Sequence, residues 1–164
     1  MSAGNDRSAR SPADGLATRV VLPDWHELFA ALCGHVADDP HAHPVTRCAR
    51  RLAELHAAHE REPGIVDLAS ARRVLIVGID EWVACHAPHA SRCGESLGNA
   101  ADRLAQTQRK AIAALRTDTD PEHVHAAWHA LSVLATEWAD LVDEVMHGQR
   151  RIEAGHGPDA RKAL

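Results

Sequence analysis

The chain has 164 residues, enough for one domain with a substantial core and no need of metal or disulfide staples. Hydrophobic residues make up 45% but aromatics only 3%, so Ala, Leu and Val must fill the core, which suits close helix packing better than a β-sandwich. A formal net charge of −5 argues against nucleic acid as a principal partner, and no apolar run approaches the roughly 20 residues of a membrane span.

Residues 1–22 are rich in Ser, Ala, Gly, Asp and Arg and read as a disordered leader. They lack the apolar core of a signal peptide, so the expected location is cytoplasmic. A first helix should begin at Asp24, with Pro23 before it and Glu27 as the far half of a capping box. Its apolar stripe is Trp25, Leu28, Phe29, Leu32 and Val36, and Asp38-Asp39-Pro40 should end it. A second helix is expected from about Pro44 to Glu60, with Val45, Cys48, Leu52, Leu55 and His59 facing inward and Pro63-Gly64 as the stop.

The third helix runs from about Asp67 to Cys85 on Leu68, Leu75, Ile76, Ile79, Trp82 and Val83, closed by Pro88. Its Val74–Ile79 stretch is apolar enough for a strand, but no second strand exists to pair with it. The fourth helix, from Gly94 or Glu95 to about Arg116, carries Leu97, Ala101, Leu104, Ala111 and Leu115. Asp120 and Pro121 make a strong start for the fifth. There Val124, Trp128, Leu131, Ala135, Trp138, Val142 and Val145 alternate steps of four and three, a seam that is stable only against other helices. Gly148 reads as its C-cap, with 149–164 a flexible charged tail. The expected fold is all-α, an up-and-down four-helix bundle of helices two to five within residues 23–148, with the first helix packed across it.

Chemistry must come from polar residues that interrupt these stripes. His59, Arg72, His86 and Gln108 fall at core-facing positions, where burial costs a few kcal/mol unless they are paired. Cys85, His86, His89 and Cys93 lie close in sequence, and His125 and His129 are one helical turn apart, but the spacing matches no zinc-finger pattern and Pro88 breaks the first segment. Glu-x-x-His at Glu144–His147 and Glu153–His156 has no counterpart on a second, facing helix, as a di-iron bundle needs. No metal and no cofactor is expected, and Cys33, Cys48, Cys85 and Cys93 read as small buried thiols. At the start of the fourth helix, Arg92, the Ser96 hydroxyl, flanking Gly94 and Gly98 and the free helix N–H groups suit an anion. The plainer account is an ordinary cap followed by a solvated polar stripe of Glu95, Asn99, Asp102 and Gln106. Asp80, Glu81, Asp140, Asp143 and Glu144 are further carboxylates, and no Gly-x-Ser-x-Gly elbow or phosphate-binding glycine loop is present.

Ile79-Asp80-Glu81-Trp82-Val83, Glu95-Ser96-Leu97-Gly98 with Asp102-Arg103-Leu104-Ala105, and Asp140-Leu141-Val142-Asp143-Glu144-Val145 with Gly148 and Arg150-Arg151 form an ordered set. In this set, from about His43 to Ile152, the chain resembles the actinobacterial helical domain-of-unknown-function family numbered 4254. It departs from that pattern at Ala101, where a larger apolar residue is usual, and at Ile152-Glu153, where Leu-Pro is usual. The resemblance implies the small subunit of a two-component natural-product enzyme, including enzymes that close an aziridine ring by displacing sulfate with an internal amine. On that expectation Glu95 and Asp102 are catalytic and orient the amine. Arg92, Arg103 and Ser96 hold the anionic group, Asp80 and Trp82 complete the substrate-binding set, and a partner chain supplies the rest. Two other functions fit the same residues: a non-catalytic interaction scaffold and a stand-alone metal-dependent enzyme.

Overall fold

The computed structural model describes residues 21–35, 39–64, 67–88, 95–117 and 119–155. They form five helices and, among the described residues, no strand: α1 (Trp25–Leu32), α2 (Pro44–Arg61), α3 (Leu68–His86), α4 (Leu97–Thr117) and α5 (Pro121–Gly155). The chain is all-α, and no described helix is long and apolar enough to cross a membrane.

Local chemistry explains most helix ends. The Asp24 carboxylate accepts the Glu27 N–H at 2.8 Å, and that of Asp67 accepts the Ser70 N–H at 3.2 Å and the Ser70 hydroxyl at 2.6 Å. Asp120 caps α5 by accepting the Glu122 N–H at 3.0 Å, with Pro121 in the first turn. Glu27 turns to the neighbouring helix, where its Oε1 accepts the Thr46 hydroxyl at 2.8 Å and ties α1 to α2.

Two helix ends differ from expectation. α1 stops at Leu32 rather than at Asp38-Asp39-Pro40, because Gly34 takes φ +76°. The Gly34 N–H then reaches the Ala31 carbonyl and the His35 N–H that of Ala30, both at 2.9 Å, which is a Schellman ending. α5 does not stop at Gly148 but continues to Gly155. A glycine ends a helix only where it adopts positive φ, which among the described residues Gly34 and Gly64 alone do, and Gln149 to Ala154 are mostly good helix formers. Residues 1–20 and 156–164 of the expected leader and tail lie outside the described residues. The leader's boundary moves, however, since Leu22 and Pro23 are buried, and the fully buried Trp138 donates its indole N–H to the Pro23 carbonyl at 3.2 Å.

α2, α3 and α4 each pack on the other two, α5 lies along α4, and α1 covers α2 with a lighter touch on α5. α4 is therefore flanked by three helices, and Gly98, Ala100, Ala101, Ala105 and Ala111 are all buried. The closest approach is at Gly98: a Cβ there would stand 2.4 Å from the Ile76 carbonyl oxygen of α3. Leu131, Trp138 and Val145 of the α5 seam are buried as expected, whereas Leu115 near the end of α4 is 62% exposed. Cys33 and Cys48 are half-buried and Cys85 is exposed; Cys93 is outside the described residues.

Gly98→Ala should push α3 and α4 apart and lower stability by about 1–3 kcal/mol, overriding the helix preference for Ala. Urea unfolding measures it, and a variant as stable as the parent would show that the contact is not tight.

Candidate functional site

Asp102 is the polar residue most deeply placed among the expected site residues. It leaves the solvated stripe predicted for it because α4 has neighbours on three sides, while Asn99 and Gln106 of the same stripe remain exposed. Only 3% of Asp102 is exposed. Its Oδ1 accepts from His56 Nε2 of α2 at 2.9 Å and from Arg72 Nε of α3 at 2.9 Å, and its Oδ2 accepts Arg72 Nη2 in a second close contact. The carboxylate thus receives a two-pronged guanidinium and an imidazole N–H together. Burial works to raise the Asp102 carboxyl, but the hydrogen bonds from His56 and Arg72 and the Arg72 charge outweigh it and hold the carboxyl below its usual range. Arg72 is correspondingly held more firmly protonated by its bonds to Asp102.

The other expected residues lie in separate surroundings. Glu95 Oε2 accepts from Arg103 Nη2 at 2.8 Å, and the same nitrogen reaches Glu137 of α5 at 2.9 Å, an exposed network. Ser96 caps α4, its Oγ accepting the Asn99 N–H at 3.1 Å. Asp80 of α3 accepts the Gly98 N–H at 2.8 Å, so a carboxylate of this chain already stands at the positive end of α4. Trp82 is half-buried between two imidazoles, stacked on His86 at 4.3 Å and edge-on to His43 at 4.4 Å. Arg92 and Gly94 lie outside the described residues. Glu95 and Asp102, expected to act together, are bound to different partners on different sides of α4.

Of the polar residues expected at core positions, Gln108 is buried, with its amide N–H directed to Cys33 Sγ at 3.5 Å and Oε1 unpartnered. Arg72 joins Asp102, His59 is half-buried with Nδ1 unpartnered, and His86 is exposed. His56 was not legible as a site residue. Its signal is a stripe through Val45, Ala49, Leu52 and Ala53, which shares Val45 and Leu52 with the expected one but takes the alanines in place of Cys48 and Leu55. Among the described residues, no three His, Cys, Asp or Glu side chains converge as a metal ion needs. Two grooves, of about 560 and 500 Å³, lie along the α4–α5 pair, and neither is lined by His56, Arg72 or Asp102.

No family model matches the sequence, and no curated protein and no solved structure proves significantly similar to it.

Asp102→Asn removes the charge that balances Arg72 and weakens the acceptor that His56 bonds. It should cost about 2–4 kcal/mol at neutral pH, below the full penalty of a buried broken pair because the Arg72 side chain is 34% exposed. Because the folded carboxyl titrates below its unfolded value, its contribution is complete above about pH 4 and fades as pH falls through the folded value. The difference between parent and variant in urea unfolding should therefore shrink as the solution is acidified into that range. A difference that does not depend on pH would show that the carboxylate charge is not what stabilises the cluster.

Proposed function

We propose that the chain is a helical interaction module, the small subunit of a heteromeric assembly, and that its conspicuous polar residues fasten helices rather than carry out chemistry. One observation carries this reading: each expected site residue among the described ones has a role within the chain. Asp102 receives His56 and Arg72, Glu95 receives Arg103, Ser96 and Asp80 complete the start of α4, and Trp82 is packed between imidazoles. The heteromeric part draws support from the resemblance to family 4254 and from apolar side chains that this chain leaves uncovered, Val74 (70% exposed) and Val77 (44%) on α3 and Leu115 on α4.

The up-and-down order of helices two to five belongs to the same proposal. It is supported by the contacts His43–Trp82 and His56–Asp102–Arg72, with Asp80–Gly98 and Glu60–Arg109, which run α2 and α4 one way and α3 the other. The ring-closing chemistry and an anionic, amino-acid-derived substrate are implied by the resemblance. In this reading the reacting groups sit mainly on the companion chain.

The test is to purify the tagged full-length chain from its own cells and weigh it intact by native mass spectrometry. A companion at fixed stoichiometry is expected. Glu95→Ala should then leave the specific activity of that complex within about twofold. A monomer without a companion overturns the subunit proposal. A loss of about a hundredfold or more in activity with unchanged melting would overturn the non-catalytic assignment instead.

A further inference from the structure

The start of α2 rests on an unusual cap. His43 precedes Pro44 with extended backbone, φ −53° and ψ 135°, as a residue before proline prefers. Its Nδ1 accepts the Val45 N–H at 3.2 Å, the role that Ser, Asp or Asn plays elsewhere. A ring nitrogen accepts only when it carries no proton, so the neutral ring must hold its hydrogen on Nε2. That Nε2 is buried without a partner, and the ring stands at 73° to the Trp82 indole.

His86 flanks Trp82 in the opposite sense. Its Nδ1 lies 2.7 Å from the Trp82 carbonyl oxygen, which can only accept, so this nitrogen donates whether the ring is neutral or charged. Its ring is stacked on the indole at 16°, where a positive charge is tolerated by the aromatic face. Two imidazoles therefore share one indole, one able to take a proton without losing its hydrogen bond and one unable to.

We propose that His43 is an acid-sensitive latch: its protonation removes the cap of α2 and loosens the junction of α1, α2 and α3. Among the described residues, the charged and titratable groups that act on His43 are Glu27 of α1 and His86 of α3. Burial lowers the His43 pKa first of all; Glu27 draws it up and His86 pushes it down, with the net shift downward. The neutral ring is thus the folded form. The unfolded chain takes up the proton first as pH falls below about 6.5, so stability is complete above that value and lost below it. The neighbouring Thr46 carries the effect to α1 through its bond to Glu27.

Imidazole ¹⁵N spectra of the full chain between pH 8 and 5 test the idea. At pH 8, His43 should show an unprotonated Nδ1 and a protonated Nε2, titrating below the ordinary histidine value, and the Val45 amide should shift with the same midpoint. His43→Asn keeps a capping oxygen that does not titrate in this range. The parent's melting temperature should fall between pH 7 and 5 by roughly 2–4 °C more than that of His43→Asn, the shift expected from one helix cap in a domain of this size. A His43 ring protonated at Nδ1 at pH 8 would overturn the proposal. So would a Val45 amide indifferent to the His43 titration, or equal acid sensitivity in parent and variant. If the variant does not fold, the two spectroscopic readouts on the parent still decide.

Discussion

One carboxylate inside the bundle sets the register of three helices. Asp102 takes hydrogen bonds from His56 on α2 and Arg72 on α3 while standing on α4. An unpaired charge at 3% exposure costs several kcal/mol, so any slide of α2 or α3 along α4 exposes the chain to that cost. The cluster need not add much net stability over an apolar equivalent. Its effect is selective, because only one alignment of the three helices satisfies all its donors, as in other buried polar networks.

That alignment is tight because α4 is lined with small residues. Gly98 lets the Ile76 carbonyl come closer than any side chain would permit, and the same approach delivers Asp80 to the Gly98 N–H. The glycine and the serine that look in sequence like an opening for an anion thus serve a second purpose. Gly98 closes the gap to α3, and Ser96 satisfies the Asn99 N–H. The positive end of a helix attracts negative charge, and here the chain provides that charge itself.

How far the sequence could be read depends on the range of each interaction. Short-range signals hold: Asp24 and Asp120 cap helices as their spacing indicates, α3 begins beside Asp67 as expected, and Pro63-Gly64 and Pro88 fall at helix ends. Glycine was ambiguous in both directions. Gly34 ends α1 early, and Gly148 does not end α5, because φ rather than residue type decides, and φ is set by the neighbouring residues as well as by the glycine. The α2 stripe favours Cys48 and Leu55 over Ala49 and Ala53, which conceals His56, since the alanines weigh little in an apolar pattern although both are buried. Sequence alone leaves Asp102 on a solvated face, because an isolated helix gives no sign that neighbours will cover three of its sides. The pairing of α2 with α4 across 46 residues is a tertiary fact with no local trace.

With the interior polar groups largely engaged among themselves, the uncovered apolar surface is the place to look for what the chain meets. α2 ends at Arg61, one residue after Glu60, which pairs with Arg109 of α4 at 2.8 Å. The last turns of α4 therefore extend past the end of α2 and keep company chiefly with the first turns of α5. Leu115 loses the cover that its place in the heptad predicts, and a groove lined by Ala113, Ala114, Ala126, Ala127 and Ala130 opens beside the pair. On α3, Val74 and Val77 are exposed because α3 packs on α2 and α4 alone among the helices with which it shares extensive contact. Exposed valine and leucine gain nothing from water, whereas the buried Asp102 and the half-buried Arg72 already have each other as partners. In the proposed reading, these uncovered side chains are the surface that a companion chain would cover.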